Sequence, residues 1–282
     1  MALVSPEKVY LLKLSTLPKS ALEKICKNFG LPCKGKIPDL INQISLAKID
    51  EKKIDSFIKV EYQAKRNKER YSLGITHEVI IREVEKVKSH IWVVIQGELD
   101  SHIQKNYVRK YFRLSDLLKA VDESLSSEVK SYVLCTWYNH WTSEILEDII
   151  AEHTKVIPTV KKVRDVDIFW QQQPWDVKNT NLPKEWFKEG YTIEDAVKNP
   201  ALAAKYLYEL QGQQRFGDNN RIFLIIADTK NKANSWKLKR DFKLIKQKVD
   251  TFFNQKKGFD TVHFVYKNKA YIAHSKILFI IK

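Results

Sequence analysis

The stretch VRDVDIFWQQQPWDVKNT, residues 163–180, decides how the rest of the chain is read. Two apolar-alternating segments flank a polar QQQP, which predicts a β-hairpin. An even-numbered loop centred on Gln171 and Gln172 places Asp167 opposite Asp176, so the two carboxylates share a face with Cβ atoms about 5 Å apart. Lys178, two residues on, projects from that same face. Carboxylates this close repel unless a cation separates them, and hard oxygen ligands with room for water suit Mg²⁺. Such an ion lowers the pKa of a bound water and steadies a leaving oxygen, while a nearby lysine offsets charge on a phosphorane. The pattern points to phosphodiester hydrolysis. The competing reading is a surface hairpin in which Lys178 pairs with Asp176 or Asp165.

Working outward, a helix candidate SEILEDIIAEH (143–153) precedes the hairpin. Helix ALAAKYLYELQ (201–211), strand RIFLIIAD (221–228), helix SWKLKRDFKLIKQKVDTFFN (235–254) and strands VHFVYK (262–267) and ILFII (277–281) follow it. This order predicts an α/β architecture, a mixed sheet flanked by helices. Acid-x-Lys triplets also begin at Asp50, Glu51, Glu128, Asp228 and Asp241. Only the Asp176 triplet follows a second strand-borne acid across a short turn.

At these residues the segment resembles the PD-(D/E)xK nuclease superfamily, in which an acid ends one strand and an acid-x-lysine lies on the next. Asp167 matches the first acid, and Asp176, Val177 and Lys178 match the second motif; Val166 stands where the name-giving proline would be. The resemblance implies a restriction-endonuclease-like core, catalysis by Asp167, Asp176 and Lys178, and Mg²⁺ as cofactor, with Mn²⁺ able to substitute. It also implies a third acid on the upstream helix. Glu144 is chosen, because Ile145 and Ile149 can face the sheet, with Glu147 as alternate; Asp167, Asp176 and Glu144 would then be the metal ligands.

Near the N-terminus, TLPKSALEKICKNFGLPCKGKIPDLINQI (16–44) has Leu17, Ala21, Leu22 and Ile25 at helical spacing, a break at Gly30 and Pro32, and a second helix with Leu40, Ile41 and Ile44. It resembles the SAP family of helix-extension-helix DNA-binding modules. Lys34, Gly35 and Lys36 would meet a phosphate, Gly35 by letting the backbone approach closely. A small helical hairpin with solvated lysines is the plainer alternative. The expected organisation is therefore a SAP-like module over 1–50, a charged linker or helix over 51–70, a middle region of unread role over 71–142, and the nuclease core over 143–282. Further DNA contacts are expected from Gln171, Gln172 and Gln173 at the turn, and from Lys237, Lys239, Arg240 and Lys243 on a basic helix face, with hairpin geometry and a solvated face as alternatives.

Composition agrees with this reading and removes others. Forty-nine basic against 34 acidic residues give +15, with +7 in residues 1–70, −3 in 71–155 and +11 in 156–282. Excess positive charge at both ends suits a polyanion. No apolar run approaches the roughly 20 residues of a membrane span, and Glu7, Lys8 and Lys13 interrupt any signal-peptide core. Cys26, Cys33 and Cys135 form no CxxC pair, and the seven histidines are scattered, which argues against a disulfide framework or a zinc site. No GxxxxGK[ST] loop occurs, so no nucleotide cofactor is expected. The expectation is a cytoplasmic, Mg²⁺-dependent endonuclease acting on double-stranded DNA, of the type II restriction kind and homodimeric, without a membrane partner. A structure-selective repair or recombination nuclease and a non-catalytic DNA-binding protein are the alternatives.

Overall fold

In a computed structural model of the chain, the described residues are 3–91, 98–123, 127–163, 165–210, 220–255, 258–266 and 268–282. Four helices come first: α1 (Pro6–Ser15), α2 (Lys19–Asn28), α3 (Ile37–Leu46) and α4 (Glu51–Glu69). Then follow α5 (His77–Glu85), α6 (Glu98–Ile103), α7 (Leu114–Asp122) and α8 (Ser127–Glu152). Three strands β1 (Val156–Val163), β2 (Val166–Trp170) and β3 (Gln173–Thr180) lead to α9 (Lys184–Lys188), α10 (Ile193–Lys198), α11 (Pro200–Glu209) and β4 (Arg221–Ala227). The chain closes with α12 (Ser235–Leu238), α13 (Phe242–Phe253), β5 (Asp260–Tyr266) and β6 (Lys269–Ile281).

The strands form one mixed sheet in the order β1-β2-β3-β4-β6-β5. β1, β2 and β3 run antiparallel as a meander, β4 lies parallel to β3 and β6 parallel to β4, and β5 returns antiparallel. β4 reads RIFLIIA and is buried along its whole length, as a central parallel strand covered on both faces must be. On one face Ile222, Leu224 and Ile226 pack with Trp137, Trp141, Ile145 and Ile149 of α8 and Ile245, Val249 and Phe252 of α13. On the other, Phe223 and Ile225 pack with Ala203, Leu207 and Tyr208 of α11. The α/β architecture is as expected.

Several boundaries differ. α8 runs unbroken through residue 142, because Trp137, Trp141, Ile145 and Ile149 continue one stripe at four-residue spacing, and Ile80, Val84, Ile103, Leu117 and Val121 share their apolar core with the sheet. Within the 71–142 region, most of the apolar run IWVVI (91–95), which reads as a strand in sequence, lies outside the described residues. β1 was not anticipated: it carries Pro158 and two lysines, which an edge strand tolerates and an interior strand does not. Residues 51–69 are a helix, whose Ile54 and Ile58 are buried. The N-terminal helices do not close a core by themselves. Leu14, Leu22, Ile25, Leu40, Ile44 and Ile58 pack against Ile157, Val160, Val166 and Phe169 of the first two strands. Among the described residues no helix is long and apolar enough to cross a membrane.

Candidate active site

β2 and β3 pair as Ile168 with Trp175, Phe169 with Pro174 and Trp170 with Gln173, so the loop is Gln171–Gln172 and the same register carries Asp167 to Asp176. Both loop residues have positive φ, 50° and 58°, as a tight two-residue hairpin turn demands, although Gly or Asn usually fills such positions. Neighbouring contacts hold the turn. Gln171 Oε1 accepts from Gly258 N at 3.2 Å, and the Trp175 indole donates to the Trp170 carbonyl at 3.0 Å.

Beside this hairpin a cleft of about 420 Å³ opens between α4, α8 and the sheet. Glu144 and Glu147 line it from α8, Asp167 from β2 and Lys178 from β3. Asp167 Oδ2 accepts the Val177 backbone N–H at 2.8 Å. Burial raises the Asp167 carboxyl, the Val177 N–H opposes it, and the charge and hydrogen bond of Asp176 add to the rise, leaving it pushed up to about 6. Glu147 is pushed up to about 7, first by burial and then by the Glu144 carboxylate, with Asp167 and Asp148 adding and Arg66 opposing. Asp167 and Glu147 both remain exposed, the Glu147 side chain by 61%, so water relieves part of that crowding at each.

Glu144 is ion-paired: its Oε2 lies 3.2 Å from Arg66 Nη1 and 3.6 Å from Arg70 Nη1, and Arg66 Nη2 also comes within 3.8 Å of Glu147 Oε2. The α8 acid that answers electrostatically to Asp167 is Glu147. Asp176 does not line the cleft. Its Oδ2 receives Arg221 Nε at 2.5 Å, and Arg221, its register partner on β4, is 4% exposed. The described residues contain no group of three or more His, Cys, Asp or Glu side chains arranged to hold a metal ion. The chemistry of the cleft fits a divalent cation in part: Asp167 and Glu147 offer hard oxygens that hold their protons despite the opposing charges of Lys162 and of Arg66, whose Nη2 lies 3.8 Å from Glu147 Oε2, and water would complete their shell.

These shifts predict a pH dependence. Each carboxyl keeps its proton to higher pH in the folded chain than in the unfolded one, so its contribution to stability falls as pH rises from about 4 to about 7. Glu147→Gln should therefore raise the melting temperature above wild type at pH 8 by about 2 °C, since screening discounts the effect to about 1 kcal/mol. The gap should close at pH 5 in metal-free calorimetry.

Other expected contacts are placed as follows. Lys34, Gly35 and Lys36 are exposed between α2 and α3. A Cβ on Gly35 would come within 2.7 Å of Asp39, which turns back to accept Lys36 N at 2.7 Å; the glycine serves the start of α3. Gln171 and Gln172 line a separate hollow with Lys13, Glu51 and Asp55, at the far end of the hairpin from Asp167. Gln173 is buried and bonds the Val4 backbone in both directions, at 2.8 and 3.0 Å, so it holds the N-terminal segment and faces no ligand.

The basic helix is broken by Asp241, which caps α13 through Leu244 N at 3.1 Å. Lys237 and Lys243 are exposed, but Lys239 Nζ donates to Asn139 Oδ1 at 2.7 Å, and Arg240 Nη1 donates to the carbonyls of Val84 and Glu85 in the last turn of α5 and of Val87 just past it. Those two basic residues are internal braces. The rival triplets resolve similarly, Asp50 capping α4 and Asp228 closing a turn on Asn231 N.

Sequence reading missed the group beneath the cleft. Asp148, 3% exposed, receives Arg66 Nε at 3.0 Å, His77 Nε2 at 2.8 Å, the Tyr62 hydroxyl at 3.3 Å and Arg70 Nη2. The four-residue spacing of Ile54, Ile58, Tyr62, Arg66 and Arg70 was the available signal for a helix turning its arginines toward α8. Compared with known proteins, the chain matches no family model, no curated protein sequence and no solved structure.

Proposed function

We propose that this protein is a metal-dependent endonuclease on a restriction-endonuclease-like core, cutting double-stranded DNA. The observation that carries the reading is the pairing of Asp167 with Asp176 across the Gln171–Gln172 turn, with Lys178 two residues on and Asp167, Lys178 and Glu147 lining one cleft. The order α8, β2, β3, crossover helices, β4 supports it, since a helix bearing acids precedes the hairpin and the chain then crosses to a strand parallel to β3. Exposed lysines at 34 and 36 and the overall charge of +15 support a polyanionic substrate.

Asp167 and Glu147 would hold the cation, which when bound supplies positive charge to a phosphodiester oxygen and makes a water more acidic. Asp167, anchored by Val177 N–H, would set where the cation sits, and Lys178 would offset the negative charge that develops on the reacting phosphate.

Incubation of unmethylated plasmid with the protein and Mg²⁺, followed by sequencing of fragment ends, tests the reading. Discrete fragments with a common end sequence are expected for a restriction enzyme, cutting confined to branched DNA for a repair nuclease. The absence of any metal-dependent cutting overturns the reading. The ion pair that occupies Asp176 favours one rival, a DNA-binding protein that keeps the fold without the chemistry. That rival predicts no shift in melting temperature with Mn²⁺ or Mg²⁺.

A further inference from the structure

The antiparallel pairing of β1 with β2 is interrupted beside the cleft. Pro158 faces Ile168 and Val163 faces Val166, so four residues of β1, 159–162, stand opposite a single residue of β2, Asp167. A bulge of this kind re-aims side chains, and here it turns Thr159 and Lys162 into the cleft. It is fastened from outside at two points. Lys161 N donates to the Thr16 carbonyl between α1 and α2 at 2.9 Å, and Lys65 Nζ of α4 donates to the Val160 carbonyl at 2.7 Å.

The other cations of the cleft are engaged. Lys65 holds that bulge carbonyl, Arg66 is bound by Glu144 and Asp148, and Lys178 also has an interaction of its own. Lys162 is exposed and makes no hydrogen bond or ion pair within contact distance among the described residues. Its charge nonetheless acts on Asp167, favouring the ionised carboxylate.

We propose that Lys162 is a substrate-contacting residue, its ammonium receiving a backbone phosphate of the nucleic acid whose scissile group lies at Asp167. The proposal rests on the endonuclease reading above. A lysine that meets a phosphate in both the bound and the reacting complex contributes to binding and leaves the chemical step nearly unchanged. Its position opposite Asp167 also ties the N-terminal helices to the substrate path, through Thr16 and the bulge backbone.

The test uses the full chain and a labelled duplex of about 20 base pairs. Binding is measured in Ca²⁺ from 50 to 200 mM salt, and cleavage in Mg²⁺. Lys162→Ala should lower the salt slope of binding by about one and raise KM about tenfold, with kcat within about threefold of wild type. Lys162→Arg should restore KM to within about threefold. Because the side chain is exposed, both variants should melt within about 1 °C of wild type. If wild type cleaves and Lys162→Ala matches its KM and slope, Lys162 is a solvated lysine and the proposal fails while the site stands. A fall in kcat with KM and slope unchanged also overturns it. If the wild-type protein neither binds nor cleaves DNA, the endonuclease reading falls and takes this proposal with it.

Discussion

Asp167→Ala should lower the rate of Mg²⁺-dependent DNA cleavage by at least about 10³-fold, equivalent to about 4 kcal/mol of transition-state stabilisation. The side chain opens into the cleft, accepts one backbone N–H and stands beside a second carboxylate, so its removal relieves repulsion and creates no cavity in the core. The variant should therefore melt no lower than wild type while losing activity. Asp176 needs a gentler change. Alanine there would strand the buried Arg221 guanidinium, whereas Asp176→Asn keeps an acceptor for Arg221 and removes the charge. Cleavage by Asp167→Ala within about tenfold of wild type, measured by gel assay at saturating metal, would remove Asp167 from the chemistry.

The second large effect concerns folding. Asp148→Ala should destabilise the protein by about 3–5 kcal/mol, because it leaves the Arg66 and Arg70 charges without their buried counter-ion. At about 2–4 °C per kcal/mol for a chain of this size, the melting temperature should fall by about 10 °C. Burial would raise the Asp148 carboxyl, but the His77 hydrogen bond and the Arg66 and Arg70 charges outweigh it and hold it below the usual carboxylate range. A lowered carboxyl stabilises the fold at all pH values above the unfolded value of about 4, and that contribution disappears as pH drops further through the folded value. Wild type should thus lose stability below about pH 4 more steeply than Asp148→Ala, as read by urea titration at a series of pH values. A loss under about 1 kcal/mol in Asp148→Ala at pH 7 would mean that the arginines find other partners.

The hairpin was legible because its information is local. Alternation gives the strands, Gln171–Gln172 gives an even loop, and the pairing of Asp167 with Asp176 follows by counting. What local pattern does not carry is which charged groups meet at a distance. Arg221 lies 45 residues from Asp176, and Arg70 lies 78 from Asp148, so neither pair leaves a mark within any short window. The choice between Glu144 and Glu147 lies beyond local pattern for the same reason, since both line the cleft and Arg66, about 80 residues earlier, pairs with each of them. Lys239 and Arg240 read as part of a DNA-contacting basic face because a side chain bonded to a distant amide or carbonyl and one facing outward have the same spacing. β1 stayed hidden because its bulge breaks the alternation that announces a strand.

The joint between the first four helices and the β1–β2 edge has an evolutionary and practical corollary. Cutting the chain near residue 50 would leave Ile157, Val160, Val166 and Phe169 facing water, so the leading segment cannot be excised, transplanted or hinged as a cassette. Any group carried on those helices is therefore held at a fixed distance and angle from Asp167, since their apolar faces are the covering of the strand that bears it.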